Sequence, residues 1–303
     1  MPTLSDLKGR HSVRSFSPEP LSPKHIRSLE AAVTDVNTHG TGLHFQLITD
    51  SPDPFRQVTK SYGMFRNARN YVACVADTSY ADYIERTGYF GMQVLMTAYS
   101  LGLGTCFVSG SFSPKAVEAR VRPGQQLICL IVIGNKAEDE KPTFMASLLH
   151  KVSHRHSGLT PMDFLDTRFS SDKICDAFPK LLQGLEAVSY APSAMNKQPV
   201  GILIKKADDP YNPLEPEKKK NKKKFAHEQD LNSRYSQLLH NDSTAEGKTD
   251  ASLYTRKGFI LQAYVPAKNT NQLLDLGIAM YSFQIGCPGD WEWGNPATFI
   301  PFD

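Results

Sequence analysis

At 303 residues, with 40% apolar and 21% charged side chains, the chain has a globular composition and enough length to bury a core without covalent staples. Its formal charge of +3 is misleading, because the lysines of the Lys218–Lys224 run outweigh it and leave the remainder net acidic, which argues against a polyanion-binding surface and hence against a nucleic-acid partner. Five scattered cysteines (Cys74, Cys106, Cys129, Cys175 and Cys287) show no metal-ligand spacing, so no metal site is expected and they read as reduced thiols of a cytoplasmic protein. No apolar run reaches the length of a membrane span, and Met1–Lys8 lacks a charged-then-apolar signal pattern.

In chain order, Ser22-Pro23 reads as an N-cap followed by proline at the first helical position, opening a helix to about Val33. Leu43–Ile48 alternates in polarity as a strand does, and Tyr71–Ala76 reads as a buried strand. From about Asp82 to Leu101 the sequence is apolar on most sides, the pattern of a central buried helix. Gly88 and Gly91 are costly inside it and imply close packing, while Gly102-Leu103-Gly104 ends it. Glu85 and Arg86 read as a capping or ion-pair feature. Thr105–Val108 is a short strand, Pro114–Val121 a short helix and Leu127–Ile133 a buried strand.

Residues 141–175 read as a polar connector with some helix, carrying His150, Lys151, His154, Arg155 and His156. That group lacks the thiolate or acidic company of a metal site, so it reads as basic, with Arg155 or Lys151 in reach of a phosphate. A helix from Pro179 to Tyr190 is stopped by Pro192, and Val200–Ile204 is a strand. The polar, Lys-rich stretch from about 208 to 250 reads as an insertion, its lysines a solvated loop without the interleaved aromatics of a single-strand binder. Gly258–Val265 is a strand, Leu273–Ile285 a helix, and Asp290–Pro296 an aromatic-rich loop. Alternating helices and strands predict layered αβ architecture.

Two polar segments carry chemistry. Arg10, Ser12 and Arg14 alternate; on an extended backbone they project to one side, with His11 as a further donor, and two guanidiniums plus a hydroxyl suit a phosphate. The alternative is a solvated basic N-terminus. Ser193 and Asn196, after the helix stopped by Pro192, offer exposed backbone and an amide with donor and acceptor, which suits the edge of a heteroaromatic ring; the alternative is ordinary turn chemistry. Gly102 and Gly104 either let a backbone approach a flat ring or simply cap a helix.

Taken together, Arg10-His11-Ser12-Val13-Arg14-Ser15-Phe16 resembles the phosphate-binding signature of the FMN-dependent nitroreductase family. Ala191–Pro199 resembles its flavin-ring segment, and Ser100–Phe107 its helix-exit motif. The order of the parts is similar to the fused, single-chain branch. There is one phosphate motif in the first half and one ring segment in the second. Val33–Gly40 and Asp166–Ser171 stand where the missing copies belong.

The resemblance implies an α+β, three-layer αβα fold with mixed, mainly antiparallel sheets, in which two degenerate halves (1–165 and 166–303) form an internal dimer. It implies one FMN per chain, held by Arg10, His11, Ser12 and Arg14 at the phosphate, by Pro192, Ser193, Ala194, Met195 and Asn196 at the ring, and with Gly102, Leu103 and Gly104 near its pyrimidine side. Arg155 is a further candidate. It implies an NAD(P)H oxidoreductase with ping-pong transfer to a nitroaromatic, quinone or similar small acceptor, no protein acid, base or nucleophile, and a monomer. The alternatives are a reductive dehalogenase-like or flavin-consuming enzyme on the same fold, or a non-catalytic interaction protein on a former flavoenzyme scaffold.

Overall fold

Two mainly antiparallel sheets and a set of helices make up the α+β architecture that the sequence implies; the structure, a computed structural model, describes residues 1–56, 64–138, 159–215 and 254–302. The first sheet has the order β1-β2-β4-β3, built from Gln46–Ile48, Asn70–Asp77, Gly104–Val108 (β3) and Gln125–Gly134 (β4), every pair antiparallel. The second has the order β5-β6-β7-β9-β8, from Leu165–Thr167, Gly201–Lys206, Phe259–Tyr264, Gly289–Glu292 (β8) and Ala297–Pro301 (β9), with only β5–β6 parallel.

β2 over Tyr71–Ala76 and β4 over Leu127–Ile133 are continuously apolar because both faces of their sheet are covered. Val72, Cys74, Ile131 and Ile133 face the helical core. The alternate residues Tyr71, Ala73, Leu130 and Val132 face a second cluster with Val13, Phe16, Phe55 and Phe112. The N-terminal segment is thereby pinned to the outer face of the first sheet.

Helices α1 (Leu4–Gly9), α2 (Pro23–His39), α3 (Asp53–Arg56), α4 (Tyr83–Ser100), α5 (Ser171–Ala177), α6 (Leu181–Ser189) and α7 (Thr270–Gly286) complete the described fold. Ser22 caps α2 as anticipated, its Oγ accepting from His25 N–H at 3.1 Å. That helix runs past Val33 to His39, because Val36 continues the buried stripe of Leu29 and Val33. The Pro114–Val121 helix is reduced to a 3₁₀ turn at Pro114–Ala116. Its later amides are taken elsewhere: Glu118 N–H donates to the Tyr71 hydroxyl at 3.2 Å and Arg120 N–H to Gln46 Oε1 at 2.9 Å.

Other elements emerge only in three dimensions. α1, capped by a reciprocal Thr3–Asp6 pair, precedes Arg10. β5 lies within the stretch read as connector, and the aromatic tail is a hairpin, β8–β9, whose Trp291 and Phe299 pack on Phe283 of α7. Residues 141–158 of the connector, including His150–His156, and most of the 208–250 stretch lie outside the described residues.

The long helices α4 and α7 cross at glycines. A Cβ at Gly88 would stand 2.1 Å from Leu274 O, and one at Gly277 would stand 1.8 Å from Glu85 O, so only glycine permits this approach. Between them they join the two sheets: α4 packs on β2, β3 and β4, and α7 on β7 and β8.

Candidate functional site

A cavity of about 830 Å³ opens between these elements, within the range of small-molecule sites. One wall is the segment after α1. Arg10 leaves the helix in extended conformation, Ser12 bridges Thr105 of β3, and Val13 N–H donates to Thr105 O at 2.9 Å. The chain therefore runs extended along β3, and Arg10, His11, Ser12 and Arg14 all line the cavity. Gly104 serves this docking, since a Cβ there would fall 2.8 Å from the Val13 side chain.

The buried nitrogens Nε and Nη1 of Arg10 have no hydrogen-bond partner among the described residues. Burial lowers the pKa of this guanidinium, with the neighbouring Cys106 and Tyr99 acting weakly the other way; an arginine still stays charged. A buried cation with two unused donors is costly unless an anion completes it. Cys106 lies in the same wall, its thiol pKa raised by burial and pulled back by Arg14 and Arg10.

The opposite wall is the turn after α6. Ser189 to Asn196 all line the cavity, including Pro192, Ser193, Ala194 and Met195. Met195, Asn196 and Gln198 have φ of 54°, 54° and 44°, three non-glycine residues in the left-handed region within four positions. Such strain persists only where surrounding bonds over-determine it. Here Gln198 N–H donates to Ser193 Oγ at 2.9 Å, Gln198 Nε2 to Ser189 O at 2.6 Å, and Asn196 N–H to Ser193 O at 3.0 Å. The Ser193 hydroxyl is thus engaged within the turn, as the turn-chemistry alternative has it, while Met195 and Asn196 line the cavity.

The floor is one face of α7: Asn271, Leu274, Asp275 and Ile278. Asp275, 5% exposed, accepts from Ala194 N–H, and burial pushes its carboxyl up to about 7 against the opposing pull of that amide. No sequence reading above singled it out. The available signal was Asn271 and Asp275 at helical i,i+4 spacing, with Asp275 set in the apolar run Leu273–Met280. Met64, Phe65 and Phe107 add apolar lining.

Of the residues singled out from sequence, the two distant segments come together. Gly102, Leu103 and Gly104 do not line the cavity: Gly102, at φ 80°, turns the chain after α4, and Leu103 is 2% exposed in the core. Arg155 lies outside the described residues. Among the described residues there is no cluster fit to hold a metal and no helix long and apolar enough to cross a membrane.

The family model described as "Putative TM nitroreductase" matches residues 3–209. A Thermotoga maritima protein of the same description is 16% identical, with a TM-score of 0.52 over 99% of this chain and 92% of its own, a likeness of fold. An FMN-dependent nitroreductase from Clostridium difficile is 20% identical over 49% of this chain and 96% of its own, TM-score 0.39. A Bacteroides fragilis nitroreductase with bound FMN is 14% identical over 45% and 89%, TM-score 0.37. No curated protein matches the sequence.

Proposed function

The chain belongs to this nitroreductase family, and we propose that it is an FMN-dependent NAD(P)H oxidoreductase whose cavity holds one flavin across residues 1–165 and 166–303, taken as two halves of an internal dimer. The observation that carries the reading is that Arg10, a guanidinium with two buried, partnerless nitrogens, lines the same cavity as the strained turn after Pro192.

In this reading Arg10 and Arg14 bind the phosphate as charge-assisted donors, with Ser12 and His11 beside them. The turn from Pro192 to Asn196 meets the ring edge. Asp275 acts one step back, holding the Ala194 N–H and so fixing the turn against α7. Leu274, Ile278, Phe65 and Phe107 reduce the water in contact with the ring. FMN held there would supply the redox chemistry that couples NAD(P)H to a nitroaromatic, quinone or similar acceptor. Donor and acceptor using one open face in turn gives ping-pong kinetics, and no protein acid, base or nucleophile is assigned.

Completion of the site from within one chain supports a monomer. Five free cysteines support a reducing, cytoplasmic setting. The test is the visible spectrum of purified protein before and after NAD(P)H, with flavin stoichiometry and menadione turnover. One flavin per chain, bleached by NAD(P)H and restored by menadione, is expected. A protein that takes up no FMN refutes the reading, and two flavins per chain refute the single site.

A further inference from the structure

The contact between α4 and α7 is reciprocal. A Cβ at Gly88 would meet Leu274 O and Ile278 N; one at Gly277 would meet Glu85 O and Tyr89 N. Each glycine faces the residues three before and one after the other. That is the signature of a local twofold axis exchanging Gly88 with Gly277. The same exchange carries the cavity floor of α7 (Asn271, Leu274, Asp275 and Ile278) onto Asp82, Glu85, Arg86 and Tyr89 at the start of α4.

On α7 that face floors the cavity, with Asp275 tied to the Ala194 amide. On α4 it is covered by an indole. Arg86 Cζ stands 4.7 Å from the Trp293 ring centroid, Tyr89 meets the indole edge-on at 5.3 Å, and Phe90 lies nearly parallel to it at 6.2 Å and 21°. The slot is braced: Arg86 pairs with Asp82 at 2.8 Å, the Tyr89 hydroxyl donates to Gln284, and Tyr281 meets Tyr89 edge-on at 5.1 Å. The position of Trp293 in the chain fits the same symmetry. β8 follows α7 as β3 follows α4, and the end of β3 (Phe107 and Val108) borders the open cavity.

We infer that this face of α4 is a second ring-binding face, twofold-related to the first, and that the chain fills it with its own Trp293 indole in place of a planar heteroaromatic ligand. A guanidinium over the ring and aromatic faces around it are contacts that any flat aromatic accepts. The inference rests on the one-flavin reading above and adds what closes the other site.

The test uses the full chain carrying Trp293→Ala, with indole as the probe. Removal of the ring is expected to lower Tm by about 5 °C. Indole at millimolar concentration is expected to recover about half or more of that drop, because it binds only the folded slot. It should leave the Tm of the unmodified chain and of Trp293→Phe unchanged. FMN retention by Trp293→Ala, read separately by absorbance, should stay within about twofold of the unmodified protein.

Three results overturn the inference: no indole response in Trp293→Ala, an equal response in Trp293→Phe, or a roughly tenfold loss of FMN retention in Trp293→Ala. If Trp293→Ala does not fold alone, recovery of folded chain only when indole is present supports the inference, and failure to recover with indole overturns it. Indole rescue in a protein whose unmodified form takes up no FMN leaves the slot standing and removes the flavin reading.

Discussion

Ala194 and Asp275 are 81 residues apart in the chain and one hydrogen bond apart in space: the Ala194 N–H reaches both carboxylate oxygens of Asp275, at 3.0 and 3.2 Å. This contact ties the strained turn to α7, so the shape of the cavity depends on a buried acid whose role is set by a residue far away in the chain.

Asp275 makes stability pH-dependent. Its folded pKa is raised to about 7 from an ordinary 3.8, so the native state binds a proton that the unfolded state has released. Stability is therefore fullest below 3.8, falls as pH rises toward 7, and levels off above it, by at most about 4 kcal/mol. Asp275→Asn keeps an oxygen for the Ala194 amide and removes the titration. Urea unfolding of the flavin-free chain between pH 4 and about 8 should show a falling stability that the variant lacks.

Arg10→Met should separate binding from stability. It removes a buried charge with two partnerless donors, so the flavin-free chain should gain about 1–3 kcal/mol. FMN retention should fall roughly 10- to 100-fold, the value of a charge-assisted phosphate contact. Denaturant midpoints and flavin titration measure the two arms; unchanged flavin affinity removes Arg10 from the phosphate.

Gly277→Ala places a methyl group 1.8 Å from Glu85 O, against helix backbone that cannot rotate away. A loss of about 3 kcal/mol or more is expected, or failure to fold. Gly102→Ala, where a Cβ would meet nothing within 4 Å but φ is 80°, should cost only about 1 kcal/mol. Thermal unfolding of both variants checks the order.

Ser193→Ala deletes the acceptor for the Gln198 amide. A local loss of about 1 kcal/mol is expected. It should appear as faster hydrogen exchange at residues 194–198 with little change in β2 or β4, whose amides report global opening.

The two polar segments, at 10–14 and 192–196, were legible from letters as polar stretches set apart from the apolar runs, and the structure brings both to one cavity. So were β2, β4 and α4, whose long apolar runs can be satisfied only by burial. Less came through where a segment draws its structure from a distant partner. β5 exists because β6 lies beside it, and β8–β9 because Phe283 offers Trp291 and Phe299 a surface. Gly102-Leu103-Gly104 read either as a ring contact or as a helix cap; Gly102 turns the chain after α4, Gly104 accommodates Val13 and Leu103 belongs to the core.

Residue chemistry and hydrophobic period are properties of short windows, so the chain order alone announces a basic stretch, a polar turn and the buried strands and helices between them. Which stretch faces which turn, that Asp275 holds the turn, and that Trp293 covers the matching face of α4 depend on contacts between residues scores to hundreds of positions apart. Those contacts are set by how two helices approach through Gly88 and Gly277, and packing of that kind leaves no periodic trace along the chain.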